Sequence, residues 1–289
     1  MAEILITGGA GNFGRTLAQA LRQQNHDLRI FDLPLCDFSF FQDWEKIRIL
    51  EGDILDPVTI QAALNGVELV YHLAAILPPV SEVNREKTFQ VNVDGTRNLV
   101  EACAASGGIS SLIFTSSVSV YGDTSNEKGL IGPEHPVNPF DWYAESKVAA
   151  EQILMASGLP VINLRISGIV IPAFLDPPEP WPFMRDQRIE LLAIGGLVKA
   201  LANLVEIKSA ASQTLLLAGG KSWQVTGEEY VRRWGEIMEI PVDEMSFMNK
   251  PGWLNWYDTS RSQTLLNYQN TSLDAFFKEL DIAVQEALA

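Results

Sequence analysis

Scarcity says first what this chain of 289 residues is not built for. It has two cysteines, Cys36 and Cys103, in no spaced pattern, which excludes a disulfide framework and is the ordinary state of reduced thiols. Three histidines, His26, His72 and His135, are scattered along the chain, so no metal-ligating cluster is expected. Positive charge is in deficit: 21 Lys and Arg stand against 36 Asp and Glu, a net −15. Nucleic acid and anionic membrane surfaces reward Lys/Arg clusters, so neither is an expected partner. A polyanionic ligand would need a local array of donors rather than a general positive field. No apolar run approaches the length that spans a bilayer. A strand-like run begins at Glu3 and leaves no room for a signal peptide, so the expected location is the cytoplasm.

What is present alternates between two periods. Apolar, branched runs occur at 3–7, 27–31, 47–50, 67–73, 111–116 and 160–166, separated by amphipathic stretches such as 15–24, 56–64 and 88–106. Strand, helix, strand at this spacing implies right-handed βαβ units and a parallel sheet covered on both faces: an α/β, doubly wound (Rossmann) domain. Beyond residue 166 the regularity fades. Five prolines in 171–182 make a loop, and a helix-like run at 188–206, a strand-like run at 213–218 and a helix from about Thr226 follow. The expected organisation is a dinucleotide-binding domain at 1–166, to which about 209–219 returns. A smaller, discontinuous substrate lobe at 167–208 and 220–289 is expected to lie over the C-terminal edge of the sheet.

The first strand runs into "TGGAGNFGRT", where Gly8, Gly11 and Gly14 are spaced for a tight turn. Glycines there let the backbone approach a pyrophosphate at the positive end of the next helix, with Asn12 and Phe13 in the same turn. Asp32 ends the second strand, eighteen residues beyond Gly14, where a carboxylate can accept from both ribose hydroxyls of an adenosine and repel a 2′-phosphate. That favours NAD; Arg15 and Arg29 are nearby cations that keep NADP open. Asp53 after the third strand is placed to receive an adenine amino group, with Ile54 beside the ring, while Asp56 before Pro57 reads as a helix cap. Leu73, Ala74 and Ala75 end the fourth strand with residues that let the backbone pass close to a cofactor. His72 reads as a packed side chain.

Tyr143 and Lys147 stand four apart in "DWYAESKVAAEQ", a spacing too common to mean much by itself. With "IFTSSVSVYGD" some twenty residues upstream, the glycine turn, Asp32, Asp53, "HLAA", Asn92 in "VNVDGT" and "LRISGIV", the chain resembles the extended short-chain dehydrogenase/reductase family, in its NAD-dependent epimerase/dehydratase branch. The resemblance is good over residues 3 to about 170 and weaker to the end. It implies Tyr143 as acid/base, Lys147 supporting it and holding the nicotinamide ribose, Ser117 orienting the substrate oxygen, and Asn92 keeping its helix in register. Ser119 and Tyr121 are the further candidates for substrate contact. A free phenol, with pKa near 10, is a poor base at neutral pH. The Lys147 ammonium and a positive nicotinamide are expected to favour the phenolate.

Departures narrow the chemistry. Val118 and Ser119 stand where 4,6-dehydratases carry an Asp-Glu pair, so elimination of water is not expected. Hydride transfer at a hydroxyl or ketone of a sugar-like or nucleotide-sugar substrate remains, with an NAD-retaining 4-epimerase as the alternative and a dinucleotide-sensing protein as a remoter one. Arg185 and Arg188 would suit a diphosphate, or would pair with Asp186 or Glu190 on a surface. Phe174 and Trp181 suit a more apolar substrate, or a core. The resemblance also implies a homodimer packing the helices near 88–106 and 142–156.

Overall fold

The computed structural model describes residues 2–207 and 212–289. Residues 209–211, at the start of the expected return to the first domain, lie outside the described residues. Seven strands form one parallel sheet: β1 (Glu3–Thr7), β2 (Asp27–Asp32), β3 (Ile47–Glu51), β4 (Leu69–His72), β5 (Ser111–Ser117), β6 (Val161–Ile166) and β7 (Gln213–Leu217). Their spatial order is β7-β6-β5-β4-β1-β2-β3. β1 pairs with β2 and with β4, setting Thr7 opposite both Phe31 and His72. The order reverses at β1, so the segments that leave β1 and β4 diverge, which is where doubly wound sheets hold ligands. The strands are apolar on both faces, as helices on both sides demand: every residue of β6 is buried.

The chain divides into two compact units, one of residues 1–117, 139–164 and 201–214, the other of 118–138, 165–200 and 215–289. In the first unit α1 (Asn12–Gln23), α2 (Pro57–Ala63), α3 (Gly95–Ser106) and α4 (Trp142–Ala156) flank the strands. Asp56 caps α2 by accepting from Val58 N, with Pro57 at the first helical position, and Asp141 caps α4 by accepting from Ala144 N. A short helix, Arg85–Phe89, passes through a π-helical turn, Gln90–Asp94, into α3. Leu5, Phe31, Val70, Leu99, Phe114 and Leu154 join strands and helices in one buried cluster.

The second unit has its own core, in which Trp181, Phe183, Trp223, Tyr230, Trp234 and Phe276 meet. Trp181 lies 5.6 Å from the Trp234 ring and 6.0 Å from Tyr230, so it is core rather than a platform for substrate; Phe174 is half exposed. The helix expected over 188–206 begins only at Ile194. Before it, Arg188–Ile189 and Leu192–Ala193 are short strands, held by pairing with Val225–Thr226 and Ile169–Val170 that no local pattern announces. The closing helices are Gly227–Met238, Ser260–Leu266 and Leu273–Leu288. Among the described residues no helix is long and apolar enough to cross a membrane, and no cluster of three His, Cys, Asp or Glu suits a metal ion.

Candidate active site

The glycine turn is built from bare backbone. Gly8 has φ +70°, and a Cβ there would stand 2.7 Å from Ala74 N, so the turn presses on the chain leaving β4. A Cβ at Gly14 would stand 2.5 Å from Gly8 O. At Gly11 it would meet only Gly8 O, at 3.4 Å. Gly11 and Asn12 are exposed, and α1 starts with no side-chain cap, unlike α2 and α4, and with no acid in its first turn. Its leading N–H groups therefore have no partner supplied by the helix itself or by a capping side chain. Such a turn supplies donors for a pyrophosphate and the carboxylate beyond it an acceptor for ribose hydroxyls, the set a dinucleotide requires.

Asp32 supplies that carboxylate and already has local work. Oδ2 accepts from Ala10 N at 2.9 Å, tying β2 to the glycine turn, and Oδ1 accepts from Leu33 N at 2.9 Å and from the Cys36 thiol at 3.4 Å. Burial, followed by this contact, pushes the Cys36 thiol above its ordinary pKa. Oδ2, with one donor, retains a lone pair for a ribose hydroxyl, and the weak thiol contact at Oδ1 is the one a second hydroxyl would displace. The two cations that kept NADP open are engaged elsewhere. Arg29 is buried, paired with Glu3 and donating to Ala63 O, while Arg15 donates to Ala10 O and pairs with Asp37.

Asp53 is half-buried and accepts from Leu55 N at 2.9 Å. Ile54 is 6% exposed and packs on Gly95, where a Cβ would stand 2.7 Å from its Cγ2. Leu73 to Ala75 are half-buried beside Gly8. His72 is buried between the hydroxyls of Thr7 (2.8 Å) and Thr96 (2.9 Å), and burial holds its imidazole at about 3, neutral and packed.

α4 carries the reaction end. Tyr143 lies in its first turn and Lys147 one turn on. Lys147 Nζ donates to Thr115 O at 2.8 Å, near the end of β5, and stands 4.7 Å from the Phe114 ring and 5.6 Å from the Tyr143 ring. Ser117 is the last residue of β5 and half-buried. Its neighbour Ser116 is turned inward, donating to Glu151 at 2.6 Å. Asn92, buried in the π-helical turn, makes three bonds. Its oxygen accepts from Ile76 N (2.7 Å), and its amide donates to Ile76 O (3.1 Å) and to Ser146 Oγ (2.9 Å) on α4. Asn92 thus fastens the chain beyond β4 to the helix that bears Tyr143 and Lys147.

Electrostatics depart from expectation here. Burial raises the Tyr143 phenol above its ordinary pKa, and Asp141 adds to the rise. Burial also lowers Lys147 to about 8 against an upward pull from Glu151. Desolvation penalises both charged forms, so the protein's own groups do not draw the phenol's pKa down.

Ser119 and Tyr121 belong to the second unit, and both are buried. Tyr121 Oη donates to Gly132 O at 3.2 Å and accepts from Arg165 at 3.0 Å, so its phenol is held in a packed network. Arg185 pairs with Glu228 (2.9 Å) and Asp243, not with Asp186. Arg188 donates to Lys128 O at 3.0 Å and stacks on Trp256, not on Glu190. Glu190, passed over except as a partner for Arg188, is fully buried and accepts from Gly220 N (2.8 Å), Tyr257 N (2.9 Å) and Gln224 (3.0 Å).

Solved structures match the fold over the whole chain. MoeE5 in complex with UDP-glucuronic acid and NAD superposes with a TM-score of 0.81, 23% identity and 99% coverage of both chains. UDP-glucuronic acid 4-epimerase from Bacillus cereus in complex with NAD gives a TM-score of 0.80 at 21% identity, covering 99% of this chain and 100% of that one. Among curated proteins, human "sterol-4-alpha-carboxylate 3-dehydrogenase, decarboxylating" is 26% identical over 251 residues, 81% of this chain and 65% of the relative. The 3 beta-hydroxysteroid dehydrogenase/Delta 5→4-isomerase of Mycobacterium tuberculosis is 33% identical over 179 residues, 58% of this chain and 47% of the relative. The chain thus spans between about half and two thirds of these relatives' length. The model of the 3-beta hydroxysteroid dehydrogenase/isomerase family matches residues 5–165. That stretch holds the glycine turn, Asp32, Asn92, Ser117, Tyr143 and Lys147, and the chain belongs to the 3-beta hydroxysteroid dehydrogenase/isomerase family.

Proposed function

We propose that this protein is an NAD-dependent oxidoreductase acting at a secondary hydroxyl or ketone, with Tyr143 as acid/base. The observation that carries the reading is the fastening of one helix. Asn92 holds α4 through Ser146, and Lys147, one turn on from Tyr143, is tied to Thr115 O near the end of β5. Gly8, Gly11, Gly14 and Asp32 would hold the dinucleotide, with the uncapped leading N–H groups of α1 on its pyrophosphate. Bound NAD supplies a hydride acceptor and carries a positive charge that favours a nearby phenolate. Tyr143 Oη takes the proton of the substrate hydroxyl during oxidation and returns it to the ketone oxygen in reverse. Ser117 orients that oxygen, and Lys147 holds the nicotinamide ribose. A homodimer through the α3 and α4 faces is part of this reading.

The substrate reading moves toward an apolar ring alcohol of the hydroxysteroid kind. The family match and curated relatives support it, and so do Arg185 and Arg188, whose groups are engaged within the second unit rather than free to grip a diphosphate. Purified protein with NAD, offered a 3β-hydroxysteroid or UDP-glucuronic acid, separates the readings. NADH formed with the steroid supports the proposal. NADH formed only with the nucleotide sugar returns the substrate to that class. NAD retained through purification and released on denaturation, with a 4-epimer and no net NADH, identifies an epimerase.

A further inference from the structure

Beyond Asn92, a second fastener joins the chain after β4 to α4, and it is an acid. Glu82 ends a 3-10 turn, Val80–Glu82. Its Oε2 accepts from Trp142 N at 3.0 Å and its Oε1 from Tyr143 N at 3.0 Å, while Ser81 Oγ donates to Oε1 at 2.9 Å. Trp142 and Tyr143 open α4, and their N–H groups are among those no helix can satisfy internally. Asp141, the ordinary cap of this helix, takes only the next one, Ala144 N at 2.7 Å. A carboxylate sixty residues away in sequence therefore completes the capping, and one of the two amides it takes belongs to the residue assigned as acid/base.

We propose that Glu82 is a positioning residue for the reaction: its bidentate grip on Trp142 N and Tyr143 N fixes the first turn of α4, and with it the placement of Tyr143 and Lys147 against a bound dinucleotide. The inference rests on the dinucleotide reading above. Two fasteners divide the work. Asn92 holds the side of α4 through Ser146, at a point between Tyr143 and Lys147, while Glu82 holds its end. With the end free, the helix would pivot on the Asn92 contact, and Tyr143, at the tip, would move most. The positive end of the helix dipole favours a carboxylate at this position, while the neighbouring acids oppose it. Asp141 and Glu145 already lie there, Glu145 is paired with Arg85 at 3.1 Å, and the Glu82 charge is among the influences that raise Asp141. A third acid is tolerated at that end because it accepts two backbone N–H groups.

The test uses the full chain in four forms: wild type, Glu82→Ala, Glu82→Gln and Tyr143→Phe. Thermal melting establishes that each is folded. Exchange of the backbone amides in the peptide containing Trp142 and Tyr143 reads the grip, and calorimetric titration with NAD reads the placement. Glu82→Ala is expected to lose protection at those amides and to weaken NAD binding by about fivefold, the factor that a lost cap corresponds to. Glu82→Gln, which keeps carbonyl acceptance at one oxygen, is expected to fall between Ala and wild type on both measures. Lost protection in Glu82→Ala with NAD affinity within twofold of wild type makes the contact merely structural and overturns the inference, as does protection that does not change. If wild-type protein fails to bind NAD, the dinucleotide reading falls and this inference falls with it. If wild type and Tyr143→Phe bind alike while the Glu82 variants also match them, only the inference falls.

Discussion

Glu190 offers a stability test that needs no substrate. Its side chain is fully buried in the second unit, accepts three hydrogen bonds from neutral donors and has burial as the dominant influence on its pKa, which rises from 4.5 to about 7. The bonds from Tyr257 N, Gln224 and Gly220 N pull the other way and lose. Between pH 4.5 and about 7 the folded protein keeps a proton that the unfolded chain has released, so stability falls as pH rises through that window. The full loss, reached above the folded value, corresponds to about 3 kcal/mol. Glu190→Gln cannot ionise. Its amide nitrogen would face backbone donors, which costs about 1–3 kcal/mol at every pH. The stability difference, wild type minus variant, should therefore be most favourable to wild type near pH 5 and decline by about 3 kcal/mol by pH 8. Urea unfolding at a series of pH values measures it, provided the slopes of the two proteins agree. A difference that stays flat, or that grows with pH, would refute the reasoning: it would mean that the three donors outweigh burial.

Gly8→Ala must fit a Cβ against Ala74 N at 2.7 Å with a left-handed backbone, and should cost about 2 kcal/mol or more by thermal melting. Gly11→Ala meets only one atom at 3.4 Å on an extended backbone, so its melting temperature should stay near wild type while NAD affinity drops in titration; equal NAD affinity would show that no pyrophosphate passes there. Asn92→Ala strands the Ile76 backbone groups and should destabilise by about 3 kcal/mol in urea unfolding, with a slower turnover in what remains folded. Asp32→Ser should raise NADP affinity relative to NAD, and should also loosen the glycine turn by removing the bond from Ala10 N, visible as faster amide exchange at Ala10.

Much of the first unit was legible because its signals are local. Alternating periods gave the strands, Asp56 before Pro57 gave a helix start, and the glycines marked a turn whose close approaches are now measurable. The Tyr143–Lys147 spacing became informative only with its neighbours in order. What stayed hidden depends on contacts between distant segments. Nothing near Glu82 announces that its carboxylate caps a helix sixty residues on, and nothing in "RIELLA" announces that pairing with 225–226 and 169–170 makes strands of a helix-like run. Arg185 and Trp181 were open to two readings each for the same reason; their partners Glu228 and Trp234 are more than forty residues away. The phenol of Tyr143 was expected to be drawn down by Lys147, but the cost of burying both groups cannot be read from their spacing.

The central claim is that Tyr143 moves the proton while the rest of the site binds. Tyr143→Phe tests it most directly, with NAD affinity measured by titration and NADH formation followed on whichever alcohol the wild type oxidises. The account predicts NAD affinity within twofold of wild type and turnover lower by about a hundredfold or more. Turnover within tenfold of wild type, with NAD bound as tightly, would contradict it and hand the proton to another group.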